Sequence, residues 1–139
     1  MKKALLILVC LGLGLVPCVA LAGSSVSLVT IMDGSTAIAA SDDYSGTATT
    51  FSVAGREGFF AIQASASGSG TAKVEYYTSL DGTTFAEPAG AVDIIAALTS
   101  ASGTVTVQFF PDFCEKIKIV VTETGGASSI TPTIRMIYR

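Results

Sequence analysis

The chain has 139 residues, of which half are hydrophobic, and it carries eight basic side chains, eleven acidic side chains and no histidine. This length is sufficient for one domain with a buried core. Without histidine the chain lacks the usual general base, the Ser-His-Asp triad and the common ligands of catalytic zinc, so we expect a protein that is not an enzyme.

The first 22 residues have the features of a secretory signal peptide. Lys2-Lys3 is a basic start, Ala4–Val16 is apolar, and Ala20-Leu21-Ala22 is a small-x-small cleavage site. We expect cleavage of residues 1–22, which leaves Gly23–Arg139 as one exported domain without stable membrane insertion. The predicted localisation is secreted, meaning periplasmic, cell-surface or extracellular.

Removal of this segment leaves six basic residues against eleven acidic ones, a net charge of about −5 with no basic cluster. Nucleic-acid binding through phosphate contacts is therefore not expected. Cys114 becomes the sole cysteine, which excludes an intramolecular disulfide. Two interpretations stay open for it: a buried thiol at the start of a strand, or an intermolecular disulfide formed in an oxidising compartment.

The first predicted strand of the exported domain is Ser25–Met32. Val26 and Leu28 lie on one of its faces and Ile31 lies on the other, so both faces carry apolar side chains. Such a strand pairs either within its own domain or with a free sheet edge of another subunit. Val26, Leu28 and Ile31, together with Cys114, are therefore candidate intermolecular contacts.

The segment Asp33–Thr47 is predicted to be a loop, because it contains several Asp, Ser and Gly residues. Asp42 and Asp43, with Asp33 as a further candidate, offer oxygen ligands for calcium, but the spacing matches no known calcium motif and solvated turn residues are the better interpretation. No other cofactor is expected. Tyr44 is a candidate ligand or interface residue, because exposed tyrosines stack on sugars or anchor interfaces.

Two strands are predicted next, Thr49–Val53 and Gly58–Ala66, and they are followed by a hairpin over Thr71–Phe85. In this hairpin Val74 and Tyr77 point to opposite faces, and Leu80-Asp81-Gly82-Thr83 supplies the turn. Tyr77 is the second candidate ligand or interface residue.

The context of the hairpin gives two further expectations. Phe85 is expected to return to the core, because it follows the turn at the start of the returning strand. The preceding turn Ser67–Gly70 predicts that Gly58–Ala66 and Thr71–Ser79 are antiparallel neighbours.

The remaining strands are predicted from alternation. The apolar run Ala91–Leu98 is assigned as a strand that ends near Ile95, and clear alternation follows at 103–110, 115–123 and 130–139, with Pro132 indicating an edge or bulge. Seven or eight strands without a convincing helix predict an all-β fold. We expect a single antiparallel β-sandwich of the jelly-roll or immunoglobulin-like type.

Two stretches resemble small bacterial and phage β-sandwich structural modules. The sequence Ser-x-Asp-Gly-x-x-Phe within Val74–Phe85 resembles a hairpin of these modules, and Lys116–Thr122 with Thr124-Gly125-Gly126 and Ile130–Tyr138 resembles their closing strand pair. The resemblance covers about a third of the chain. It implies a surface, appendage or virion-like structural role and supplies no catalytic residue, although phage structural proteins are normally made without an export signal.

Three functions are compatible with these features. The favoured one is a secreted, non-catalytic structural protein that self-associates at the cell surface or outside the cell, for example as a filament subunit. The alternative is a secreted carbohydrate-binding or adhesive β-sandwich module that binds a glycan through Tyr77. A hydrolase that uses two carboxylates ranks last, because no spacing singles out a pair of acids.

Overall fold

The structure is a computed structural model that describes residues 26–44, 50–52, 59–90 and 93–139. The predicted signal peptide and its cleavage site lie outside the described residues, as do segments 45–49, 53–58 and 91–92. The described residues form nine strands and one 3-10 turn at Ser100–Ser102. The strands are β1 (Ser27–Asp33), β2 (Asp43–Tyr44), β3 (Thr50–Ser52), β4 (Phe60–Gly68), β5 (Ala72–Ser79), β6 (Ile95–Leu98), β7 (Val105–Phe109), β8 (Lys116–Glu123) and β9 (Ile130–Tyr138).

The strands form two antiparallel sheets that pack as a sandwich. Sheet A has the order β1-β9-β4-β7, and sheet B has the order β2-β8-β5-β6 with β3 also paired to β8. β2 and β3 pair with successive parts of β8, at 121–122 and 116–118, so they act as one interrupted strand. Sheet A then contains the first, eighth, third and sixth strands, and sheet B the second, seventh, fourth and fifth. This is the strand order of a jelly roll, and the predicted all-β sandwich is confirmed.

Branched and flexible apolar side chains fill the space between the sheets. Ile62, Ile134 and Met136 of sheet A pack in one cluster with Val74 and Ile119 of sheet B, and all five are fully buried. Burial of each such side chain contributes about 1.5–3 kcal/mol. This layer therefore provides the main stabilisation of the fold and holds the two sheets in a fixed relation.

Strand β1 departs from simple alternation through a β-bulge. Its pairing with β9 shifts between Thr30 and Met32, which leaves Ile31 as the extra residue. Ile31 and Met32 are both only 4% exposed, whereas Leu28 is 65% exposed. β1 thus pairs within its own domain. Ile31, a candidate intermolecular contact, lies in the core because it shares the inner face of β1 with Val29, and the bulge turns Met32 to that same face.

The connection at 67–70 joins the two sheets and does not form a hairpin. β4 lies in sheet A and β5 in sheet B, so the prediction that Gly58–Ala66 and Thr71–Ser79 are neighbours is wrong. The reason is that the chain at 67–70 passes close to the residues that precede β9. A Cβ atom on Gly68 would lie 2.8 Å from the Ser129 carbonyl oxygen, and one on Gly70 would lie 2.6 Å from that of Ser128.

Two further local predictions are corrected. β6 begins at Ile95 and does not end near it, because Ile95 and Leu98 are the inward residues of a short strand that pairs irregularly with β5. Phe85 does not return to the core. Ala86 and Thr78 exchange backbone hydrogen bonds of 2.9 and 3.0 Å, which leaves the half-buried Phe85 on the outer side of sheet B.

Candidate interaction surface

The register of sheet A places its outward-facing side chains in rows that cross all four strands. One row consists of Leu28, Ile137, Ala61 and Gln108, which are paired in sequence across β1, β9, β4 and β7. Leu28 and Ile137 are exposed although they are large and apolar. The outer face of this sheet is therefore not the polar surface that a sheet facing only water usually presents.

An aromatic row lies next to it, at the end of the sheet where Val26 precedes β1 and Phe110 follows β7. The backbone N–H of Arg139 donates to the carbonyl of Phe59 at 3.0 Å, which continues the β9–β4 pairing by one residue. The rings of Phe59 and Phe110 meet edge to face with their centroids 6.5 Å apart. These rings are 60% and 66% exposed, so the pair forms a ridge in contact with solvent.

The same end of the sandwich carries two more apolar side chains on its loops. The backbone N–H of Glu115 donates to the carbonyl of Ser79 at 2.9 Å, which brings the hairpin tip and the β7–β8 connection together. Leu80 on the tip is exposed, and Phe113 on the connection is 95% exposed. Among the described residues, every exposed large hydrophobic side chain thus lies in one region, which we call the apolar end: Val26, Leu28, Phe59, Leu80, Phe110, Phe113 and Ile137.

The opposite end of the sandwich is polar and is organised around a buried carboxylate. Glu123 accepts hydrogen bonds from the backbone N–H groups of Ser41, Thr71, Gly125 and Gly126 at 2.8–3.2 Å. The Ser41 donor is the largest influence, and together the four lower the pKa of Glu123 to about 2, against the opposing effect of burial. Glu123 therefore ties three loops together, and both of its oxygens are already used.

The Ser-x-Asp-Gly-x-x-Phe sequence stabilises the turn that follows β5. Oδ1 of Asp81 accepts hydrogen bonds from the backbone N–H groups of Thr84 and Thr83 at 2.7 and 2.8 Å, and from the Ser79 hydroxyl at 2.9 Å. These donors, Thr84 first, hold the pKa of Asp81 well below its usual range. Gly82 takes a positive φ of 72°, which favours glycine. The Asp81 Oδ1 atom and the Gly82 backbone thus build the turn of this hairpin.

The two candidate tyrosines occupy different environments. Tyr77 is half-buried on the outer face of sheet B, where Lys118 Nζ lies 5.3 Å from its ring centroid and 5.4 Å from that of Phe85. Burial is the largest cause of the raised pKa of Tyr77. Tyr44 pairs with Val121 and packs partly against the core. The proposed ligand contacts of both residues stay predictions, and the Tyr77 ring already has a cation as its neighbour.

Cys114 is a free thiol that is 5% exposed and belongs to the core cluster. Burial raises the pKa of this thiol, which makes the nucleophilic thiolate scarcer. This placement fits the first of the two interpretations, a buried thiol near the start of a strand. An intermolecular disulfide would need the β7–β8 connection to open.

The aspartates considered for calcium are exposed: Asp33 ends β1, Asp43 begins β2, and Asp42 directly precedes it. Asp33 accepts hydrogen bonds from the backbone N–H and the hydroxyl of Ser35, which lower its pKa, and Asp42 accepts one from the N–H of Asp43. In the described part of the chain, no three His, Cys, Asp or Glu side chains are grouped so as to hold a metal ion. Across the same residues, no helix has the length and apolarity needed to cross a membrane.

The sequence identified part of the apolar end and missed part of it. Val26 and Leu28 are exposed as their role as candidate contacts requires, whereas Phe59, Phe110 and Ile137 were not named. The available signal was the pair of doubled phenylalanines, at 59–60 and 109–110. Because successive side chains of a strand point to opposite faces, one ring of each pair has to leave the core.

No protein-family model matches this chain, and no curated protein is similar to it in sequence.

Proposed function

We propose that this protein is a secreted, non-catalytic structural subunit that self-associates through its apolar end, at the cell surface or outside the cell. The observation that carries this proposal is the concentration of exposed apolar side chains in one region of the sandwich. Soluble monomers rarely expose a contiguous apolar patch of large size, and such patches are typical of interaction sites.

The composition of the apolar end supports a protein partner. Aromatic side chains are enriched, and charged ones depleted, in the centres of protein interfaces. The eight positions of the two rows that contain Leu28 and Phe59 hold one charged side chain, Arg139, and the next outward row of sheet A holds Arg135. The Phe59–Phe110 ridge places two large rings where a partner would bury them.

A second copy of the chain is the partner that we propose. Two copies related by a twofold axis present the same surface to each other, so an apolar end on one copy meets an apolar end on the other. The polar end does not offer such a contact, because its central carboxylate is fully engaged by four backbone donors. The predicted signal peptide supports an extracytoplasmic location for this assembly.

Glycan binding has less support than self-association. Jelly rolls serve both as capsid subunits and as lectins, so the fold alone does not choose between these functions. The candidate sugar-stacking residue Tyr77 is only half exposed, and its ring lies beside Lys118 Nζ. Stacking of a sugar on that face would require this cation to move.

The test compares the exported protein with variants of matched chemistry. Phe59→Ser combined with Phe110→Ser removes the ridge, and Phe85→Ser removes a half-buried ring on the outer side of sheet B as the control. We expect light scattering after size exclusion to give a mass above the monomer for the wild type and for Phe85→Ser, and a reduced mass for the ridge variant. A monomeric wild type, or an unchanged mass in the ridge variant, would contradict the proposal.

A further inference from the structure

The free edges of the two sheets differ in how they are protected against pairing with another chain. Exposed edge strands are commonly shortened, bulged, charged or interrupted by proline, because their unpaired backbone groups accept a further strand. β1 carries the bulge at Ile31, β6 has four residues and an irregular register, and the other edge of sheet B is the interrupted β2 and β3.

β7 has none of these devices. Its five residues pair with β4 in an unbroken register, from Phe60 opposite Phe109 to Ala64 opposite Val105. The sequence over 103–110, GTVTVQFF, contains neither a charged residue nor proline. No described strand pairs with the other side of β7. Among the described residues, the edge strand is therefore regular, uncharged and unpaired on its outer side.

The hydrogen-bond pattern shows which backbone groups of β7 are available. Arg139 donates to the carbonyl of Phe59, so odd-numbered residues at the start of β4 bond to β9 and even-numbered ones bond to β7. Phe60 is opposite Phe109, so the odd residues of β7 bond back to β4. The N–H and C=O groups of Thr106 and Gln108 consequently point away from β4, toward the open edge.

We propose that β7 is a second interaction surface, at which it pairs antiparallel with β7 of another copy of this chain. The inference rests on the proposed self-association and adds a distinct contact to it. Pairing would join two copies of sheet A into one sheet of eight strands. Threonine and other β-branched residues form favourable cross-strand pairs, and the strand carries no charge that would repel its own copy.

The surroundings of the β7 edge favour β7 of another copy as its partner. Beside β7, at the side opening between the sheets, lies a groove of about 340 Å³ that is lined by Tyr76, Ile94, Val107 and Phe109, with Gly90 and Asp93 also at its wall. A paired strand would cover this groove. Phe110 directly follows β7 and belongs to the apolar end, so the two proposed contacts lie next to each other on the molecule.

Two separate contacts have a consequence for assembly. One contact that a surface makes with its own copy closes a dimer. A copy that uses both the apolar end and the β7 edge has two different neighbours, so the assembly grows beyond the dimer. This is the behaviour that a filament subunit requires.

The test uses Thr106→Pro in the exported protein. Proline removes the outward N–H of position 106 without removing a β4–β7 hydrogen bond, and proline is tolerated where an edge N–H faces solvent. Thr106→Val keeps the N–H and is the matched control, and Thr106→Lys is the second variant should Thr106→Pro not fold. Light scattering is measured for these proteins, for the Phe59→Ser/Phe110→Ser ridge variant, and for the ridge variant combined with each edge variant.

We expect assemblies larger than dimers for the wild type and Thr106→Val, dimers for Thr106→Pro or Thr106→Lys, dimers for the ridge variant, and monomers for the combination. Large assemblies that persist in both Thr106→Pro and Thr106→Lys would overturn the β7 contact and leave self-association through the apolar end standing. A monomeric ridge variant would also overturn it. A monomeric wild type would overturn both proposals.

Discussion

Phe59 and Phe60 are adjacent phenylalanines that should respond to the same substitution in opposite ways. Phe60 is 3% exposed, and its ring centroid lies 5.5 Å from that of Phe109 and 6.0 Å from that of Tyr138. Replacement of a buried phenylalanine by alanine costs about 3–5 kcal/mol, because apolar burial is lost and a cavity remains. We therefore expect Phe60→Ala to be severely destabilised.

Phe59→Ala should leave the fold nearly unchanged. Phe59 is 60% exposed in the isolated chain. Full burial of such a side chain contributes about 1.5–3 kcal/mol, so the part that is buried contributes about 1 kcal/mol or less. In the proposed assembly, by contrast, Phe59 would be covered, and its loss should lower the assembled fraction.

Urea unfolding followed by circular dichroism distinguishes these effects. With an m value of about 2 kcal/mol/M, Phe60→Ala should lower the midpoint by about 1.5–2.5 M and Phe59→Ala by about 0.5 M or less. Dilute protein is needed, because association stabilises the folded state by mass action. If Phe59→Ala lowers the midpoint as much as Phe60→Ala does, the assignment of Phe59 to the outer face is refuted, and the apolar end with it.

Three other outcomes follow from the structure. The unfolding free energy should fall as pH is lowered from about 4.5 to 2, because the folded pKa of Glu123 is depressed to about 2 and protonation removes its stabilising effect. In acid titrations, the unfolding free energy of Glu123→Gln should depend less steeply on pH than that of the exposed control Glu87→Gln. Cys114 should react with a thiol reagent only after denaturation, and a disulfide dimer on a non-reducing gel would contradict its burial. Gly82→Ala should cost about 1–2 kcal/mol in thermal unfolding because its φ is positive. Gly103→Ala should cost about 1–3 kcal/mol, because its φ of 66° and ψ of −145° form a conformation that essentially only glycine adopts; a neutral result at both positions would contradict the turn geometry.

Local patterns predicted the strands well because a half-buried strand has a period of two. Pro132 shows how far such an inference extends. Its position was expected to be an edge or bulge, yet β9 lies between β1 and β4. Pairing with β1 ends at Asp33 opposite Thr133, and the N–H of Ile130 points toward Ile38 on that same side. Pro132 therefore occupies a local gap, where the missing N–H has no strand partner among the described residues.

The choice of sheet for each strand could not be predicted from alternation. β4 and β5 are consecutive and closely connected, and yet they lie in different sheets, because the turn between them packs on residues that come some sixty positions later in the chain. The inward position of Met32 depends on a bulge that is visible only in the register of β1 with β9. These outcomes are set by contacts that are distant in sequence.

The candidate site was only partly predictable for the same reason. Val26 and Leu28 were found because the first strand is apolar on both faces. Leu80 and Phe113 belong to the apolar end through the hydrogen bond between Glu115 and Ser79, which no local pattern reveals. Tyr77 was named for its residue type, and its ring is partly covered by its own sheet neighbour.

The most direct test of the proposed function is light scattering of the wild-type protein over a dilution series, with its N-terminus identified by mass spectrometry. The self-association account predicts a mass above that of the monomer, rising with concentration, and a chain that begins at Gly23. A monomer mass at every concentration would contradict self-association, and a retained N-terminal segment would contradict the predicted export signal.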